Sequence, residues 1–271
     1  MTASAPVCLC MAVRTIRGLM LKELFIVVVC MGATTVAGSI AGVAVRTLAH
    51  RWNDVILGFS AGVMLSASTV GLLAPAFGPD GGGILLPLLG AFLGAALVSV
   101  LDCIVPHLHT LTGLDYETHK DNRSVSKGLL FVAAIALHKL PEGLAAGVGF
   151  GTGDIARVAS LAGAISLQNL PEAFVIAAPL LAIGVSAGRI MLISLGIACV
   201  SMVSVVCGYL LVSLFAGALP FLLAAAGGAM LYVISDEVIP ETHSHGFEKS
   251  STFALLAGFL LVLAVQRLVN G

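Results

Sequence analysis

Apolar residues run along this chain in long blocks, separated by short clusters of glycine, proline and charge. A helix needs about 20 mainly apolar residues to cross a bilayer. Eight blocks meet that length, beginning near Leu24, Asp54, Ile84, Val125, Ile155, Gly188, Ala218 and Ser251. The pattern predicts an all-α membrane protein of eight transmembrane helices. Residues 1–23 form an N-terminal segment and residues 24–271 the transmembrane domain. Glycines mark "GPDGGG" (Gly78–Gly83) and "GTGD" (Gly151–Asp154) as turns. The one longer polar connection, 106–124, is expected as a cytoplasmic loop and holds His107, His109 and His119.

Composition agrees. The chain has 271 residues, 59% hydrophobic and 10% charged, where soluble domains carry about 25% charge. Mean hydropathy is +1.09. With no basic stripe or tail, nucleic acid is not an expected partner. The six cysteines include no CxxC pair, so neither a disulfide framework nor a thiolate zinc site is expected. Cys8 and Cys10 form a CxC pair with nothing nearby to complete a site.

Arg14, Arg17 and Lys22 precede the first apolar block as in a signal peptide, but the block runs to about Val45, longer than a signal core. It is expected as a retained first helix. Alternate loops carry Arg46 and Arg51, then Lys120, Arg123 and Lys127, then Arg189, then Lys249, while the opposite loops carry only Arg157. The positive-inside rule makes the first set cytoplasmic and both termini external. The charges before Lys22 oppose that orientation.

Two blocks carry polar chemistry. "AIALHKLPEGLAAG" (Ala134–Gly147) places His138, Lys139, Pro141 and Glu142 in the fourth, and "SLQNLPEAFVIA" (Ser166–Ala177) places Gln168, Asn169, Pro171 and Glu172 in the fifth. At about 100° per residue, His138 and Glu142 lie about 40° apart around the axis, with Lys139 about 100° from His138 and about 60° from Glu142, so all three can face one cavity. Proline lacks an N–H, so Pro141 and Pro171 free the carbonyls of Leu137 and Leu167 and are expected to kink both helices. Ionisable groups cost about 2.5–3.5 kcal/mol each at the centre of a membrane helix. A hydrogen-bonded network joining the helices is one explanation for that outlay. Two repeats of polar–polar–Leu–Pro–Glu favour a divalent-cation site instead. One imidazole nitrogen with carboxylate and amide oxygens suits Zn2+ and also Fe2+, Mn2+, Cd2+ or Co2+.

"HKLPEG" and "QNLPEA" resemble the paired motifs of the ZIP family of divalent-metal transporters, whose fourth helix reads His-Asn-x-Pro-Glu-Gly and whose fifth carries x-Pro-Glu. "GFSAGVMLSAS" (Gly58–Ser68) and "LYVISDEVIPETHSHG" (Leu231–Gly246) are similar to that family's second and seventh helices. The resemblance covers the chain from about Leu24 and is nearest the prokaryotic-type branch. It implies zinc uptake toward the cytoplasm, a ZIP-type bundle with both termini outside, and a homodimer. It also implies a scaffold of helices two, three, seven and eight. Helices one, four, five and six would form a transport block that slides past it as an elevator around a midplane site. The ligands it implies are His138, Glu142, Gln168, Glu172 and Met64 for a first metal.

A second metal in the family uses the Asn after the helix-four His, an acid or amide on helix five, here Asn169, and a Glu on helix six. Lys139 replaces the first of these, and "GIACVSMVSVVCGYLLV" (Gly196–Val212) contains no acid. Lys139 is therefore expected to substitute for the second metal, its ammonium lying between Glu142 and Glu172. Asp236, Glu237, Glu241, His243 and His245 form a candidate exit relay, with Pro240 ending helix seven. The loop histidines are candidate contacts for released metal. Asp102 is expected to end helix three and Asp80 to lie in the opposite loop, where either carboxylate could attract cations. The expected partners are divalent metal ions and the lipid bilayer of a cell membrane, with metal as cargo and no cofactor.

Alternatives are a passive channel, a broad-specificity Fe/Mn/Cd carrier, and, in other classes, an intramembrane metal sensor or metalloenzyme. No HExxH occurs. An enzyme is not expected.

Overall fold

The computed structural model describes residues 5–46, 48–78, 83–111, 122–182 and 184–270, with the side chains of 5–19, 104–111, 122–135, 179, 182 and 270 outside the description. Among the described residues eight long helices follow one another: α1 (Ala5–Val45), α2 (His50–Ala76), α3 (Leu85–Leu111), α4 (Asn122–Gly149), α5 (Ile155–Ala182), α6 (Ala187–Leu214), α7 (Ala216–Thr242) and α8 (Glu248–Asn270). Seven of them, all but α4, have described stretches long and apolar enough to cross a membrane. The protein is an integral, multi-pass membrane protein.

Most helices begin within four residues of the expected positions. α1 departs most. It starts at Ala5, so Arg14, Arg17 and Lys22 stand on the first helix and not on a separate segment. Residues 7–17 contain neither proline nor glycine to stop it. α3 continues to Leu111, which puts His107 and His109 on a helix and not in a loop. Leu108 and Leu111, three apart, keep the helical apolar spacing there. The side chains of His107 and His109, with His119, Asp80, Cys8 and Cys10, lie outside the described residues.

Pro141 and Pro171 sit within helices that are α-helical on both sides of them. Two other helices contain π segments. α2 becomes a π-helix over Ala67–Leu73, and α7 does so over Ile234–Val238. Ala74 N–H donates to Thr69 O, and Ile239 N–H to Ile234 O, each reaching back five residues. The next residue is proline in both cases, Pro75 and Pro240. A proline ring clashes with the carbonyl four residues back and offers it no N–H. Lengthening the preceding turns by one residue relieves both problems, and such π segments recur at functional sites. Pro240 does not end α7, as expected, but lies in its last turn, which closes at Thr242.

Glycines set the packing. Gly38 and Gly42 on α1 face the carbonyls of Leu170 and Phe174 on α5. Gly143 and Gly147 on α4 face the α6 backbone near Val205. Gly58 and Gly62 on α2 face Ser251 and Leu255 on α8, while Gly90 and Gly94 on α3 face Phe221 and Ala225 on α7. In each pair a Cβ would overlap a backbone carbonyl or the atoms beside it. Glycine inside a helix costs about 1 kcal/mol relative to alanine. In lipid that cost is offset by backbone approach and van der Waals contact, the small-xxx-small device.

These contacts sort the bundle into two groups. α1, α4, α5 and α6 interlock with one another, and α2, α3, α7 and α8 do likewise. The groups meet mainly where α2 crosses α5 and α4 crosses α7. The main apolar core, from Met31 and Val63 to Ile165 and Met230, spans that junction. Asp154 caps α5, its Oδ1 accepting from Ala156 N–H at 2.9 Å and Arg157 N–H at 3.2 Å. That cap fixes where α5 starts and hence how Gln168, Asn169 and Glu172 face α4.

Candidate metal site

The two polar motifs meet through Lys139. Its side chain is 1% exposed, and its ammonium donates to Glu142 Oε2 at 2.6 Å, Asn169 Oδ1 at 2.7 Å and Glu172 Oε2 at 2.5 Å. Three N–H groups thus meet three acceptors, two of them charged. A buried charge persists only when paired and hydrogen-bonded, and this geometry supplies both. Ser60 on α2 donates to the other oxygen of Glu172, Oε1, at 2.8 Å.

Other polar atoms lack protein partners. Gln168 is 0% exposed, yet neither its Oε1 nor its Nε2 is bonded. Glu142 Oε1 and Asn169 Nδ2 are buried and unpartnered as well. Buried orphans of this kind are uncommon, and an ion or ligand is one standard explanation. His138 turns toward α7, where its Nε2 lies 2.5 Å from Glu237 Oε2. Met64 is 1% exposed. Among the described residues, no three His, Cys, Asp or Glu side chains are already gathered around a metal position. The chemistry is assembled but not closed: the acids hold an ammonium, and the imidazole holds an acid.

Met64, His138, Glu142 and Glu172 line the inner end of a cavity of about 740 Å3. The cavity follows α2 from Met64 to His50, about 21 Å of helix. Asp236 and Glu237 line it partway, on the π segment of α7, and His50, Asp54, Glu241 and His245 line its outer end. Among the described residues its lining includes no lysine or arginine. Such a channel of acids and imidazoles with low-dielectric walls concentrates cations. Asp102 on α3 lies close enough to Glu237, Asp236 and His138 to interact with their charges.

Of the expected exit residues, Asp236, Glu237, Glu241 and His245 face the cavity. His243 instead bonds Ile239 O through Nδ1 and Thr252 Oγ1 through Nε2, at 2.9 and 3.3 Å. Sequence inspection missed His50 and Asp54. Their four-residue spacing at the head of an apolar block was the available signal. On α6, Ser201 and Ser204 are buried.

Comparison with known proteins gives one answer. The family model described as "ZIP Zinc transporter" matches residues 106–266. Zinc transporter ZIPB of Bordetella bronchiseptica is 37% identical over 238 residues, covering 85% of this chain and 76% of that protein. Zinc transporter GufA of Myxococcus xanthus is 38% identical over 253 residues, covering 87% and 98%. Human zinc transporter ZIP11 is 29% identical over 298 residues, covering 79% and 87%. All three are named as transporters.

Proposed function

The chain belongs to the ZIP zinc transporter family, and we propose that it carries divalent metal ions, zinc foremost, across the membrane toward the cytoplasm. One observation carries this function: an unpartnered Gln168 and the half-satisfied Glu142 lie beside Glu172, at the end of a cavity whose described lining is acidic, imidazole, neutral polar and apolar. His138, Glu142, Gln168, Glu172 and Met64 hold the ion, with Asn169 beside them. Two carboxylates neutralise a dication and offset its desolvation. One nitrogen, one thioether and several oxygens also admit Fe2+, Mn2+ and Cd2+.

Lys139 stands in for a second metal. Its ammonium already occupies the position between Glu142 and Glu172, held by three hydrogen bonds. The site then carries one ion per cycle.

The carrier moves as an elevator, with α1, α4, α5 and α6 sliding past α2, α3, α7 and α8. The packing supports this. Backbone-to-backbone glycine contacts lie within each group, while side chains such as Leu161 against Gly71 make the contact between α5 and α2. Interlocked helices move as a unit, and a side-chain interface allows sliding. Both termini lie outside, so the cavity opens to the cytoplasm beside Arg51. Two copies pair through the α2, α3, α7 and α8 group.

The test is zinc uptake into proteoliposomes by wild type, Glu142→Ala and His138→Ala, with Fe2+, Mn2+ and Cd2+ as competitors. Saturable uptake lost in both variants is the expected result. Non-saturating flux would indicate a channel. No uptake of any of the four ions would overturn the transport assignment and favour a sensor.

A further inference from the structure

At the outer end of the cavity, three side chains meet that the Glu142–Glu172 site does not use. Asp54, in the second turn of α2, is 1% exposed. Its Oδ1 lies 3.0 Å from His245 Nδ1, and its Oδ2 is buried without a partner. His50, four residues earlier on the same face, stacks on His245 with ring centroids 4.9 Å apart and planes inclined by 22°. His245 reaches this position from the α7–α8 turn, where Gly246 adopts φ +84°. Ser251 on α8 donates to Asp54 O at 3.0 Å and so anchors the backbone that carries the acid.

We propose that Asp54, His50 and His245 form a second metal site at the cavity mouth, distinct from the Glu142–Glu172 site and suited to zinc-class divalent cations. A carboxylate removed from water with one oxygen unpaired is unfavourable unless a cation or donor meets it. His245 meets only its Oδ1, and no donor in the structure meets Oδ2. Two imidazoles, a carboxylate and an open fourth position are a recognised zinc donor set. The rings are stacked and not yet turned toward a common point, and His50 stands on the exposed rim. The same cavity joins this cluster to Met64, Glu142 and Glu172. An ion leaving the inner site meets two imidazoles and an acid before bulk water. This role in the cation path rests on the transport function proposed above; the binding itself does not.

The test uses the full chain in detergent, with Glu142→Ala and Glu172→Ala together removing the inner site. Co2+ is titrated and its visible d–d bands recorded, with Zn2+ as competitor. The expected result is one bound Co2+ displaced by Zn2+, its affinity reduced at least tenfold by Asp54→Asn or by His50→Gln with His245→Gln. Should Asp54→Asn fail to fold, the His pair gives the same readout from the rim. No bound Co2+, or binding indifferent to the folded variants, overturns the site. Absence of zinc uptake by wild type, with Co2+ binding at the mouth intact, would instead count against the transport function alone.

Discussion

His138 on α4 and Glu237 on α7 meet through Nε2 and Oε2 at 2.5 Å, joining the two groups of helices. Ser60 on α2 joins them a second time by donating to Glu172 on α5 at 2.8 Å. Both ties end on residues assigned here to the metal. An ion drawing His138 and Glu172 together must therefore compete with the polar contacts that fasten one group to the other. In the elevator proposed above, that arrangement would couple occupancy of the site to freedom of movement, through differential contacts of the kind a ligand needs to shift a conformational equilibrium.

Removing the competitor should strengthen binding. Glu237→Gln is expected to raise zinc affinity at the inner site by about tenfold, about 1.4 kcal/mol. Isothermal titration in the Asp54→Asn background isolates the inner site. Unchanged or weaker binding would mean that Glu237 is itself a ligand or that His138 is not.

Lys139→Met leaves two buried carboxylates without their cation. Breaking a buried ion pair costs about 3–5 kcal/mol, so the melting temperature in EDTA should fall markedly. Zinc should restore most of the difference, because the metal supplies the missing charge. An equal loss with and without zinc would show that the ammonium serves packing alone.

Gln168→Leu separates a ligand from a structural amide. A buried amide without partners costs about 1–3 kcal/mol. The leucine variant is therefore expected to match or exceed wild-type stability in EDTA while binding zinc at least tenfold more weakly. Lower stability with unchanged zinc affinity would identify Gln168 as part of a helix-joining network.

Sliding of the two groups can be arrested. A Cβ at Gly71 on α2 would meet Leu161 on α5, across the groups, and one at Gly32 on α1 would meet Met202 on α6, within a group. In a cysteine-free background, a short thiol cross-link between Gly71→Cys and Leu161→Cys should abolish zinc uptake until reduced. The Gly32→Cys and Met202→Cys link should leave it largely intact. Equal inhibition by both would contradict the elevator.

The sequence by itself determined the membrane class, the eight helices and the two motif-bearing segments. Apolar block length is a local property, and bilayer thickness makes it sufficient. It also carried the replacement of the motif asparagine by Lys139 and the absence of an acid on α6. Pro141 and Pro171 were legible as proline within a helix, but the π segments that precede Pro75 and Pro240 were not. Whether a freed carbonyl kinks a helix or shifts its register depends on what packs beside it. The sequence also placed the Lys139 ammonium between Glu142 and Glu172, where the structure has it. Only tertiary structure decided that His138 turns to Glu237 and that His245 returns to Asp54 across 191 residues of chain. Those partners are set by helix crossings that glycine contacts fix, and no spacing along one strand of sequence encodes a crossing between two.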